Sequence, residues 1–132
     1  MSAKPGLAPA QGPYSPAVKA GGFIFTSGQI PVDPELNKVI IGSIEEMTTL
    51  TLKNLEAALI HMGAGLKDVV KTTVFLSDMS DFAAMNKVYI EFFAQIKPAR
   101  STVAVKELPM GIAVEIEAVA LDPATGGNVE RL

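Results

Sequence analysis

The chain has 132 residues, 48% of them apolar and 19% charged, with a formal net charge of −3. That length holds one domain with one core, the apolar content excludes a disordered or low-complexity chain, and the acidic balance gives no electrostatic footprint for nucleic acid or an anionic membrane. The lack of cysteine excludes disulfides, thiolate catalysis and thiolate-ligated metal.

So few charges on a small domain imply surface covered by another copy, so a homo-oligomer is expected. Met1 to Gln11 carries one lysine and no apolar stretch of the kind a signal peptide needs. No apolar run is long enough for a bilayer, and the expectation is a soluble, cytoplasmic protein.

In chain order, Gly12-Pro13-Tyr14-Ser15-Pro16 reads as a stiff turn presenting one aromatic hydroxyl. Ala17 to Ala20 and Phe23 to Thr26 read as strands of a hairpin around Gly21-Gly22. Ser27-Gly28-Gln29 breaks the second strand, and Pro31 and Pro34 enclose a loop. Ser43 and Glu46 form a capping box in which Glu46 reaches back to the cap. The helix they open carries Ile44, Met47, Thr51, Leu55, Ala58, Leu59 and Met62 at helical spacing and ends at Gly63 and Gly65. Val69 to Leu76 is a buried strand. Ser80 is the expected cap of a second helix with a buried stripe of Phe82, Met85, Tyr89, Phe92 and Ile96, stopped by Pro98. Two closing strands follow, joined by a loop from Lys106 to Met110. The segments 1–11 and 123–132 are expected to be flexible. The order predicts one α+β domain over residues 1–132, with two helices on one face of a mixed sheet. The sheet's other face would be covered by subunit association.

Arg100 follows a rigid proline and opens a strand, and its guanidinium is a fork of donors matched to a carboxylate. The last strand, Ile112 to Leu121, alternates so that Ile112, Val114, Ile116, Ala118 and Ala120 share one face. Ala113, Glu115, Glu117, Val119 and Leu121 share the other. That mixed face fits either a solvated surface or the rim of a site. Arg100 fits either a ligand grip or a structural ion pair to Glu115 or Glu117. Asn86 and Tyr89 are three apart on one helix and face the same way; core packing accounts for Tyr89 well and for Asn86 poorly. Tyr14 fits surface packing or a rigid hydroxyl reaching a ligand. His61 is the only histidine, so no paired histidine acid/base site can form. Gly21-Gly22 lacks the lysine and spacing of a phosphate loop, and Ser27 has no histidine in a motif-like context to activate it. A carboxylate grip beside a carboxylate that activates water would bind and hydrate a carboxylate-bearing molecule.

Several segments carry a resemblance across nearly the whole chain. They are Gly12-Pro13-Tyr14-Ser15, Thr26-Ser27-Gly28-Gln29-Ile30-Pro31, Val70-Lys71-Thr72-Thr73-Val74-Phe75, Asn86 with Tyr89 and Phe92-Phe93, Pro98-Ala99-Arg100-Ser101, and Glu115-Ile116-Glu117-Ala118. In this order they resemble the RidA family of reactive intermediate deaminases, also called YjgF or L-PSP. The resemblance implies a chorismate-mutase-like α+β fold, a homotrimer with sites between subunits, and hydrolysis of 2-imino acids from amino-acid dehydratases to 2-keto acids and ammonia. It implies no cofactor and no metal. The family's site positions fall on Tyr14, Ser27, Gly28, Asn86, Tyr89, Arg100, Thr102 and Glu115. Thr102 stands where many members have cysteine; that residue acts mainly through its backbone, so a thiol or redox role is excluded and the hydrolysis is not.

The implied division of labour is a carboxylate grip by Arg100 and water activation by Glu115. Tyr14 and backbone near Gly28 and Thr102 would position the imine and water. Tyr89 with Phe25 or Phe92 would form an apolar wall. The rival expectations are an endoribonuclease or translation inhibitor, which the composition disfavours, and a non-enzymatic carboxylate sensor or chaperone-like oligomer.

Overall fold

A computed structural model describes residues 4–125 and 127–132. Met1 to Ala3 and Gly126, which fall in the segments expected to be flexible, lie outside the described residues.

The chain runs β1 (Ala17–Ala20), β2 (Phe23–Thr26), β3 (Val32–Asp33), β4 (Lys38–Val39), α1 (Ile44–His61), β5 (Val69–Leu76), α2 (Phe82–Phe93), β6 (Ala99–Ala104) and β7 (Val114–Leu121). Five strands form one sheet in the order β1-β2-β7-β5-β6, and β3, between Pro31 and Pro34 where only a loop was expected, pairs with β4 beyond them in a separate two-stranded ribbon. β5 and β6 are parallel, joined through α2, and the remaining pairs are antiparallel. The sheet is therefore mixed, as predicted. At the β1-β2 turn Gly21 and Gly22 sit at φ 61° and 86°, the left-handed pair that a two-residue hairpin matching strand twist requires.

Ile24, Val74, Leu76, Val114, Ile116 and Ala120 point from the sheet into the core, where they meet Leu52, Leu55 and Leu59 of α1 and Met85, Val88 and Phe93 of α2. The α2 stripe differs from the predicted one. Val88 and Phe93 are buried, whereas Phe82, Phe92 and Ile96 are only partly so. Phe82, Phe92 and Ile96 pack against the edge of the core, and Phe82 also lies 5.5 Å from the Arg100 guanidinium. The helix cap also differs. Asp78, not Ser80, accepts from a backbone amide, that of Ser80 at 2.9 Å, and sets a short 3-10 turn ahead of α2. That bond holds the Asp78 carboxyl below its ordinary pKa. At α1, Ser43 caps the Glu46 amide at 3.1 Å as predicted, while Glu46 returns to the Ser43 hydroxyl instead of its amide.

The two sheet faces differ sharply. On the face away from the helices lie Val18, Phe23, Phe25 and Val103, each at least 39% exposed, together with Val119, Leu121, Glu115 and Glu117. No helix among the described residues is long and apolar enough to cross a membrane.

Candidate active site

Arg100 pairs across the sheet with Thr72, and Thr72 with Ala118, both buried under the helices. Arg100 therefore points to the helix side. Its Nη1 donates to Asn86 Oδ1 at 2.7 Å. Its guanidinium lies 4.6 Å from the Tyr89 ring centre and 5.5 Å from that of Phe82. Aromatic faces hold a guanidinium in plane while leaving its edge donors for an anion. Asn86 thus has a role that core packing did not give it. Tyr89 acts through its ring, because its hydroxyl is shared with Thr72 Oγ1 at 2.7 Å inside the core. Burial lifts the Tyr89 phenol above its ordinary pKa, against the Thr72 bond and the Arg100 charge. Arg100, Asn86 and Tyr89, with Ile90, Phe93, Ala94, Lys97 and Pro98, line a concavity of about 550 Å³.

Glu115 is on the opposite face. It pairs with Phe75, and Phe75 with Val103. The structural ion pair considered for Arg100 is excluded by this register, since Glu115 and Glu117 both project away from it. Instead Glu115 shares a second concavity of about 340 Å³ with Gln11, Tyr14, Ser27, Gly28, Ile30, Pro109 and Met110. The loop from Ser27 to Val32 makes its wall. Ser27 ties that loop to the proline-rich turn: its N–H donates to Pro16 O at 2.9 Å and its hydroxyl to Ser15 O at 2.7 Å. Tyr14 leaves the turn half-exposed, with its hydroxyl accepting from the Gln11 amide at 3.0 Å. Gln29 exchanges two backbone bonds with Ile116, at 2.7 and 3.0 Å, which presses Gly28 against Glu115. A Cβ on Gly28 would overlap the Glu115 carboxylate and approach its Cδ to 2.8 Å. Any side chain at position 28 would therefore displace the Glu115 carboxylate from this place. Partial burial, and then repulsion from Glu117, lift the Glu115 carboxyl above its ordinary pKa.

Of the residues predicted for the site, Arg100, Asn86 and Tyr89 come together on the helix side, and Tyr14, Ser27, Gly28 and Glu115 on the open side. Thr102 shares Arg100's face two residues along β6, which is an edge strand, and its buried hydroxyl has no partner. Phe25 and Phe92 line neither concavity. Their predicted place is taken by Ile90 and Phe93 on one side and by Ile30 and Met110 on the other. Phe82 and Lys97 were missed as site residues. Phe82 lies two helical turns before Tyr89 on the same face, a spacing that could have found it. Met110 carries no periodic signal: it sits at φ 56° in a short 3-10 turn that breaks the loop into β7. His61 closes α1 and its Nε2 lies 2.8 Å from Pro5 O, outside both concavities. Among the described residues no three His, Cys, Asp or Glu side chains converge as a metal would require.

Residues 5–122 match the family described as Endoribonuclease L-PSP. A RutC family protein of Pyrococcus abyssi is 51% identical over 109 residues, 83% of this chain and 86% of that protein. Reactive Intermediate Deaminase A, chloroplastic, of Arabidopsis thaliana is 43% identical over 111 residues, 84% of this chain and 59% of that protein. Among solved structures, E. coli TdcF with bound serine is similar with a TM-score of 0.82 at 39% identity, over 88% of this chain and 93% of that one.

Proposed function

The chain belongs to the endoribonuclease L-PSP family, also known as RidA or YjgF, and from that premise we propose that it hydrolyses 2-imino acids to 2-keto acids and ammonia in sites shared between copies of a homotrimer. The observation that carries this reading is the separation of two complementary half-sites by one sheet. Arg100 and its aromatic bed form a carboxylate grip without a base. Glu115, beside Gly28 and Tyr14, forms a water-activating half without a cation. A neighbouring copy laid against the apolar open face would bring its Arg100 to this copy's Glu115. It would also cover Phe23, Phe25 and Val103, which otherwise stay exposed.

In the joined site Arg100 takes the substrate carboxylate as a bidentate pair. The C=N carbon then faces the Glu115 carboxylate. Glu115, made a stronger base by its raised pKa, takes a proton from water as the oxygen adds to that carbon, and returns it to the nitrogen to give the carbinolamine. Glu115 then takes the hydroxyl proton as the C–N bond breaks and passes it to the departing nitrogen, so that ammonia leaves and the C=O bond of the keto acid forms. Backbone groups at Gly28 and Thr102 and the Tyr14 hydroxyl hold the nitrogen and oxygen in line. An imine is already electrophilic, so positioning and electrostatics supply the acceleration. The serine bound to E. coli TdcF has the carboxylate and α-nitrogen that such a site would grip.

The family's description, Endoribonuclease L-PSP, favours a second reading, ribonuclease. Against it stand the net charge of −3 and a single histidine, held at Pro5. The deciding assay generates a 2-imino acid in situ with an amino-acid dehydratase or oxidase and follows its loss. Faster loss with the protein supports the deaminase. An unchanged rate, with RNA cleaved under the same conditions, would replace it with the nuclease.

A further inference from the structure

Lys97 stands in the same concavity as Arg100. It belongs to the turn that closes α2, where its N–H donates to Phe93 O at 2.9 Å. Its backbone sits at φ 52°, a left-handed conformation uncommon for a residue with a side chain. Pro98 follows and fixes the next φ. The direction in which Lys97 leaves the chain is therefore set by the fold. Among the described residues no acid lies within 4.0 Å of its ammonium. Besides Lys97 and Arg100, the lining is Asn86, Tyr89, Ile90, Phe93, Ala94 and Pro98, and no carboxylate lines the cavity.

Two cations lining one largely apolar concavity, with no anion among its lining residues, complement a molecule carrying a carboxylate at each end of a short methylene chain. We propose that Lys97 binds a second, distal carboxylate, so that the preferred substrates are 2-imino dicarboxylic acids, the imines of acidic amino acids. The inference rests on the deaminase reading and narrows its substrate class. Arg100, buttressed by Asn86 and Tyr89, holds the carboxylate next to the imine, and the mobile ammonium of Lys97 tolerates the variable reach of the distal one. Lys97 also borders a second concavity, lined on its far side by the chain after Asn128 with Glu130. The competing role is thus an anchor for that tail.

The test compares imines generated in situ by amino-acid oxidases from glutamate and from 2-aminobutyrate. Its readout is the ratio of kcat/KM between them. In Lys97→Met the preference for the glutamate-derived imine is expected to fall roughly two- to fivefold. In Lys97→Glu, where like charges meet, it should fall roughly tenfold or more. The change should sit in KM, and in the unaltered protein added salt should weaken the preference. Glu130→Gln should leave the ratio alone. Calorimetric binding of 2-oxoglutarate against 2-oxobutanoate reads the same preference without turnover. A ratio insensitive to Lys97, or shifted as much by Glu130→Gln, overturns the assignment while leaving the deaminase intact. Failure to hydrolyse either imine sinks the deaminase reading, and the calorimetric preference then still decides whether Lys97 binds a distal carboxylate.

Discussion

Arg100 keeps its place through Asn86 and two aromatic rings on α2, so removing its charge need not unfold the core. Arg100→Ala is expected to lower kcat/KM at least about 30-fold, as a lost charged contact of about 2–5 kcal/mol implies. Arg100→Lys should recover little, because an ammonium cannot present the planar fork or lie flat on the Tyr89 ring. Full activity in Arg100→Ala would refute the grip. Glu115 and Glu117 make an internal control, since they share a strand face and a charge. Glu115→Gln is expected to cut kcat by about 10² to 10⁴, with keto-acid binding affected much less. Glu117→Gln should cost little at neutral pH. The pH dependence separates them further. The base form of Glu115 is needed, so kcat falls as pH drops through its pKa. Burial and Glu117 both raise that pKa, so the acid limb should lie above the ordinary carboxylate value of about 4.3. Removing the Glu117 charge should move the limb down. A limb that stays put in Glu117→Gln, or a larger loss there than at Glu115, means the wrong carboxylate has been named.

Among the elements, the loop between β2 and β3 does the positioning, and α1 holds it. Asn54 is buried in α1, and its amide donates both protons to that loop, to Ile30 O at 2.9 Å and Val32 O at 2.8 Å. Asn54→Ala would remove both bonds; Ile30 O keeps the Val32 N–H at 2.8 Å, while Val32 O loses its Asn54 donor, and the change is expected to lower stability by about 1–3 kcal/mol. Denaturant unfolding would read this. Thr51→Val is the control one turn earlier: its buried hydroxyl has no partner, so the change should be near neutral. Equal losses in the two variants would assign the effect to helix packing. The strands and helices were legible because each carries its own period, from the hairpin of Ala17 to Thr26 to the alternation of Val114 to Leu121. Asn54 was not, because a polar residue inside a helix stripe reads as a defect until its partners, more than twenty residues away, are in place. The α2 stripe was read incompletely for a related reason: helical spacing placed Met85 and Tyr89 in the core, but it did not show that Val88 and Phe93 are buried too or that Phe82 meets both core and cation.

For the whole molecule, sequence named several residues that line the two concavities but not the separation of those concavities by the sheet. Alternation along one strand fixes faces within that strand only. Whether Arg100 and Glu115 share a face depends on the register of β6, β5 and β7, which is set by pairings distant in sequence. With that register known, association between copies becomes a chemical requirement of the proposal as well as a way to bury Phe23, Phe25 and Val103. Light scattering at micromolar concentration should give three times the chain mass, and a stable monomer would end the shared-site reading. A stronger test mixes two dead variants. Arg100→Ala trimers lack every grip, and Glu115→Gln trimers lack every base. If each site takes Arg100 from one copy and Glu115 from the next around a closed ring, any trimer holding both variants contains one interface where both residues are intact. Random co-assembly of equal amounts makes about three trimers in four mixed, each with one working site of three, so about one quarter of normal activity should return. Exchange of subunits by co-expression would create it, while mixing already assembled trimers should not. If each site lay within a single chain, every site would still lack one residue, and the co-assembled protein would stay as inactive as its parents.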